Sequence, residues 1–166
     1  MRSCSAASSS TGRRCSALAA ARSASAHPEE LRYYYRALVE LIEAAARSGR
    51  PDLGTAALEQ LVESTQASGT DLALGTEARS RALLSEGVAA ERLYREAIER
   101  LARTRVTTAL ARAQLLFGEW LRRERRRQEA RDQLRAAHEL FTTMGTEAFA
   151  DRAARELQAT GETARK

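Results

Sequence analysis

Residues 110–141, LARAQLLFGEWLRRERRRQEARDQLRAAHELF, decide how this chain is read. Apolar or small residues recur at Leu110, Ala113, Phe117 and Leu121, and again at Ala130, Leu134, Ala137 and Phe141, with charged residues between them. That spacing puts one apolar stripe on each of two successive helices. A helix with a single stripe needs a partner to cover it. Gly118, Ala130 and Ala137 are small, which has a steric cause: two helical backbones approach closely only where no bulky side chain intervenes. Large residues flank these positions and supply the buried area, worth about 25 cal/mol per Å² of apolar surface. The expectation is a helical hairpin.

The order Phe117-Gly118, Leu121, Ala130, Leu134, Ala137 resembles the tetratricopeptide signature, which has an apolar-Gly pair and an aromatic on the first helix, then Ala, Phe and Ala on the second. It departs from that signature at Gln114, where tryptophan is usual, and at Arg125, where a turn glycine is common.

Composition agrees with helices. The 166 residues suffice for one domain with a modest core, and a low aromatic share (5%) beside abundant alanine disfavours sheet. The net charge is +5, carried almost wholly by arginine and interleaved with acids, which fits a solvated surface of i,i+4 pairs. The one lysine is Lys166, so no phosphate-cradling GxxxxGK[ST] loop exists. His27 and His138 are the only histidines, and Cys4 and Cys15 lie close together near the start, so no zinc constellation has normal ligand spacing. The sequence therefore calls for no metal and no cofactor. Two such cysteines make no disulfide framework, which points to a reducing, cytoplasmic compartment. No apolar run nears the roughly 20 residues that cross a bilayer, so no membrane association is expected.

Residues 1–27 are rich in Ser, Ala and Arg and read as a disordered low-complexity tail. The alternative, a targeting segment, has only Ala17–Ala21 as its apolar part. A helical-repeat domain is expected over residues 28–161, and a short tail over 162–166. Its first helix runs from about Glu29 to Arg47, with Tyr34, Leu38, Leu41 and Ala45 on one face. Of Tyr33-Tyr34-Tyr35, two are expected to pack inward. A second helix, about Asp52–Ser68, carries Leu58, Leu61 and Val62. A third, about Asp71–Ser85, has a weaker stripe of Leu74, Ala78, Ala82 and Leu83, and Gly75 inside it costs roughly 1 kcal/mol against alanine. A fourth, about Val88–Thr104, shows Ala90, Tyr94, Ala97 and Leu101, and the same pattern returns forty residues on as Ala130, Leu134, Ala137 and Phe141. A closing helix, about Thr146–Thr160, carries Phe149, Ala153 and Leu157. The whole is an all-α chain of about three tetratricopeptide-like hairpins plus a closing helix.

Candidate chemistry is sparse. Glu96 with Glu99, or Glu119 with Glu124, form carboxylate pairs on paper, but carboxylates on arginine-studded helices serve as partners of Arg at i±3 or i±4. His138 stands alone beside a core stripe. The dense run Arg122-Arg123-Glu124-Arg125-Arg126-Arg127 would attract a polyanion, yet it spans a turn and lacks an adjacent helix-turn-helix or interleaved aromatics. No enzyme activity is indicated.

A wider resemblance covers more of the chain. EARSRALLSEGVAAERLYREAIERLARTR, ARAQLLFGEWLRRERRRQEARDQL and FADRAARELQATGE are similar to the helical-repeat region of large ATP-binding LuxR-type transcriptional regulators, signal-transduction ATPases of the maltose-regulator kind. The resemblance extends from about Leu38 to Lys166 and implies a role in sensing an inducer or docking a protein or peptide partner. Neither the ATPase motif nor the DNA-reading module of that family has a counterpart in these residues, so DNA contact is expected only through a helix-turn-helix absent from this chain. A truncated or split regulator is one expectation; a free-standing peptide-binding adaptor, or an arginine-rich nucleic-acid binder, are the others. By the geometry of curved tetratricopeptide stacks, Arg79, Arg112, Glu119 and Arg122 would line a concave partner-binding face.

Overall fold

Seven helices follow one another in the computed structural model, which describes residues 28–161, with side chains described from residue 33. They are α1 (Pro28–Arg47), α2 (Pro51–Ser68), α3 (Asp71–Leu83), α4 (Gly87–Ala102), α5 (Thr107–Arg123), α6 (Arg127–Thr143) and α7 (Glu147–Ala159), with no strand among the described residues. The expected tails, 1–27 and 162–166, lie outside the described residues.

Local chemistry sets the ends. Pro51 opens α2 where its missing N–H costs nothing. Gly69 closes α2 in the left-handed conformation (φ 62°), with its N–H donating to the Thr65 carbonyl. The Thr70 hydroxyl then accepts from the Ala73 N–H at 3.3 Å and starts α3. At the end of α5 the left-handed position falls to Arg125 (φ 62°), the only described non-glycine residue with positive φ. The turn between α5 and α6 is thus made with an arginine in a conformation that favours glycine.

The chain divides into two compact units, residues 1–37 and 38–166. The described part of the first is the opening of α1, where Tyr33 and Tyr34 are exposed and Tyr35 is half-buried. The inward packing expected of two tyrosines is therefore corrected.

In the second unit each helix from α2 onward packs against the next, and α3 also reaches α5. The main core joins Tyr94 of α4, Leu115, Phe117, Trp120 and Leu121 of α5, Leu134 and Phe141 of α6, and Leu157 of α7. Tyr94 stacks on Phe117 at 5.3 Å between ring centroids, and Phe117 on Trp120 at 6.0 Å. The stripes expected on α4 and α6 are fully buried: Ala90, Tyr94, Ala97 and Leu101, then Ala130, Leu134, Ala137 and Phe141.

Close approaches explain the small residues. A Cβ built on Gly118 would lie 2.6 Å from Leu134 Cγ and 3.3 Å from the Ala130 carbonyl oxygen, so α5 and α6 meet at Gly118. A Cβ on Gly75 would lie 2.8 Å from Leu101 Cγ, and one on Gly54 2.9 Å from Leu84 Cδ2. Gly75 is thus more than the helix-weakening residue expected, because it admits Leu101 to the α3–α4 contact.

Three stripes differ from expectation. On α1 the buried apolar residues of the second unit are Leu38, Val39, Ile42 and Ala45, while Leu41 is exposed, because the larger apolar arc is centred on Ile42. On α2 the buried line is Gly54, Ala57, Leu61 and Thr65, with Leu58 and Val62 at its margin. On α3 burial extends around the helix and includes Thr76, Glu77, Arg79 and Ser80. Packed on by α2, α4 and α5, α3 has little circumference left for water.

Candidate functional site

The densest chemistry is a buried ionic cluster joining α1, α5 and α7. Glu43 lies one residue after the fully buried Ile42 and is itself only 5% exposed. Its Oε2 accepts from Arg112 Nη2 at 2.8 Å and Nε at 3.0 Å, and its Oε1 from Arg152 Nη1 at 2.9 Å. Arg152 also clasps Glu119 through two bonds, Nε–Oε1 at 2.7 Å and Nη2–Oε2 at 2.9 Å. Arg112 extends to Glu40, with Nη2–Oε2 at 2.6 Å, and its guanidinium lies 5.4 Å from the Phe149 ring centroid. Two-pronged arginine–carboxylate bonds fix distance and orientation together.

Burial pushes the Glu43 carboxyl upward, but the two guanidiniums outweigh it and hold the group below the usual carboxylate range. Glu43 is therefore ionised at neutral pH. The cluster forms a polar strut between α1, α5 and α7.

Beside it lies a cavity of about 700 Å³ whose apolar wall includes Leu83, Leu84, Leu116 and Trp120. Arg47, Glu119 and Arg123 also line it, so the cluster and the cavity share Glu119. A mixed pocket of this size suits a small molecule or the side chains of a peptide.

The four residues expected on a partner-binding face are placed differently from one another. Arg112 and Glu119 are brought together through Glu43 and Arg152. Arg122 pairs elsewhere, with Glu156 of α7 at 2.7 Å. Arg79 is 4% exposed, enclosed by the helices packed around α3. Glu43, Arg152 and Trp120 were not singled out from sequence. The available signal was Glu43 following Ile42, and Arg152 preceding Ala153, charges set against residues of an apolar stripe.

The paper pairs of carboxylates dissolve into ion pairs. Glu96 bonds Arg100 at 2.9 Å one turn on, Glu99 bonds Arg103, and Glu119 belongs to Arg152. Among the described residues no group of three or more His, Cys, Asp or Glu is placed to hold a metal ion, and no helix is long and apolar enough to cross a membrane. No family model, no curated protein and no solved structure matches the chain.

Proposed function

We propose that the helices form a tetratricopeptide-like array of hairpins and that the chain is a non-catalytic regulatory or interaction segment of a LuxR-type regulator. In this reading it senses an inducer or docks a peptide at the cavity bounded by Leu84, Leu116, Glu119 and Trp120. The observation that carries it is the repeated nesting of a large side chain against a glycine in successive helix pairs, Leu101 on Gly75 and Leu134 on Gly118. That recurrence is the packing logic of stacked helical repeats. The cavity adds a concave, partly apolar surface floored by side chains that the ionic cluster holds in place.

The test uses Trp120, the only tryptophan in the sequence and part of the cavity wall. Sugars, other small inducers and short peptides are titrated while Trp120 emission is followed in the native chain and in Leu84→Arg. A saturable shift in the native chain that the variant loses supports docking there, and its chemical class separates inducer from peptide. Emission that stays flat with every ligand, or responds alike in the variant, removes the cavity from the reading. A helix-turn-helix coding sequence in frame with this chain would support the LuxR assignment. A free-standing adaptor is the reading left without one.

A further inference from the structure

The fold divides the arginine run at the α5–α6 turn. Arg126 is engaged internally: Nη1 donates to Glu91 Oε2 at 2.6 Å, and Nε to Glu129 Oε1 at 2.7 Å. Arg122 is oriented by Glu156 yet keeps 36% of its side chain exposed. The side chains of Arg125 and Arg127 are exposed and have no hydrogen-bond or ion-pair partner among the described residues. Arg122, Arg125 and Arg127, with Ala159 of α7, line a cavity of about 570 Å³.

Two further observations favour an anion there. The carbonyl end of α7 would repel negative charge, but it is covered by Arg131, whose Nη2 donates to the Thr160 carbonyl at 2.7 Å. Exposed Arg155 lies one helical turn before Ala159, on the face of α7 that carries this lining residue. Arg125 itself sits at φ 62°, where glycine would be unstrained, so a guanidinium stands at the cavity in a conformation that favours glycine.

Guanidinium forks match phosphate oxygens two at a time. Several forks around one cavity suit adjacent phosphates in one molecule better than a single monoanion. None of the four lining residues is aromatic, so the phosphate chain is the recognised part, with no ring provided for stacking a base.

We propose that this cavity binds the di- or triphosphate moiety of a small phosphorylated molecule. The site is separate from the Trp120 cavity, and its test is independent of the function proposed above. The full chain is titrated calorimetrically with pyrophosphate and with tripolyphosphate, using sulfate at matched ionic strength as the competitor. Saturable one-site binding is expected in the native chain. It should weaken by about tenfold or more in Arg125→Gly/Arg127→Gln, the loss of roughly one charge-assisted hydrogen bond. It should be unchanged in Arg92→Gln/Arg105→Gln, a change of equal charge at exposed arginines elsewhere. Helicity measured on both variants separates loss of the site from loss of the fold. Equal affinity in the first variant, displacement by equimolar sulfate, or absence of binding by both phosphates overturns the proposal. Tighter binding of random duplex DNA, rising with its length, would also overturn it in favour of backbone contact.

Discussion

Replacing Arg125 by glycine should stabilise the protein. At φ 62° an L-residue suffers contact between its Cβ and the backbone, costing roughly 1–2 kcal/mol, which glycine avoids. Against that, glycine adds freedom to the unfolded chain worth about 0.4–1 kcal/mol. The net gain expected is about 1 kcal/mol. The molecule already contains the relaxed version of the turn. At the end of α6, Gly145 (φ 66°) supports a Thr146 N–H to Phe141 carbonyl bond at 3.0 Å, and Arg125 supports the equivalent Arg126 to Leu121 bond at 3.0 Å. Only the side chain differs. Arg125 forms no bond that the substitution would remove, because the turn is held by backbone groups alone.

The assay is urea unfolding followed by far-ultraviolet circular dichroism in phosphate-free buffer, with thermal unfolding beside it. The midpoint should rise at an unchanged slope, and the melting temperature by about 2–4 °C. Arg125→Ala is the control that decides the cause. It removes the same charge from the arginine run but keeps a Cβ in the left-handed region. If alanine stabilises as much as glycine, charge relief and not backbone relief is the explanation, and the reasoning fails.

Three further outcomes are expected. Gly118→Ala places a methyl 2.6 Å from Leu134 Cγ, so overpacking of about 1–3 kcal/mol should outweigh a helix-propensity gain of about 1 kcal/mol, and a lowered urea midpoint checks this. The carboxyls of Glu43 and Glu91 are lower in the folded than in the unfolded chain, Glu91 at about 2, where hydrogen bonds from Arg126 and Arg95 hold it. Their stabilisation is thus complete above the ordinary value of 4.5 and fades as pH falls through the folded values. Melting temperature against pH should bend downward below that point, and Glu43→Gln should shrink the bend while lowering stability at neutral pH by about 2 kcal/mol. Finally, burial raises the Tyr94 hydroxyl pKa, and that oxygen has no hydrogen-bond partner among the described residues, so Tyr94→Phe should equal or exceed the native stability by about 1 kcal/mol. A loss above that size in calorimetry would show that the hydroxyl is bonded.

What could be read in the sequence followed from periodicity and punctuation. The alanine-rich stripes of α4 and α6 matched burial residue by residue. Local ion pairs such as Glu91 with Arg95 and Glu96 with Arg100 were also legible, because four residues make one turn. The polar burial was not. Glu77 and Arg79 look like surface residues in any window of sequence, and only the helices around α3 turn that surface inward. The candidate site failed to show for the same reason. Glu43 meets Arg112 across 69 residues and Arg152 across 109, and no periodicity within one helix encodes such a meeting. The exposed turn of Tyr33 and Tyr34 shows the converse, that aromatic character alone does not assign a side chain to the interior.

The enclosure of α3 has a kinetic consequence. Its amide protons are shielded from solvent by neighbours on several sides, so they should exchange with deuterium only when most of the molecule opens at once. Amides of α7, whose backbone packs mainly against α6 alone, should exchange through smaller and more frequent openings. The isotope pattern would then trace the order in which the chain comes apart, from its margin toward the helix whose sequence looks least like a centre.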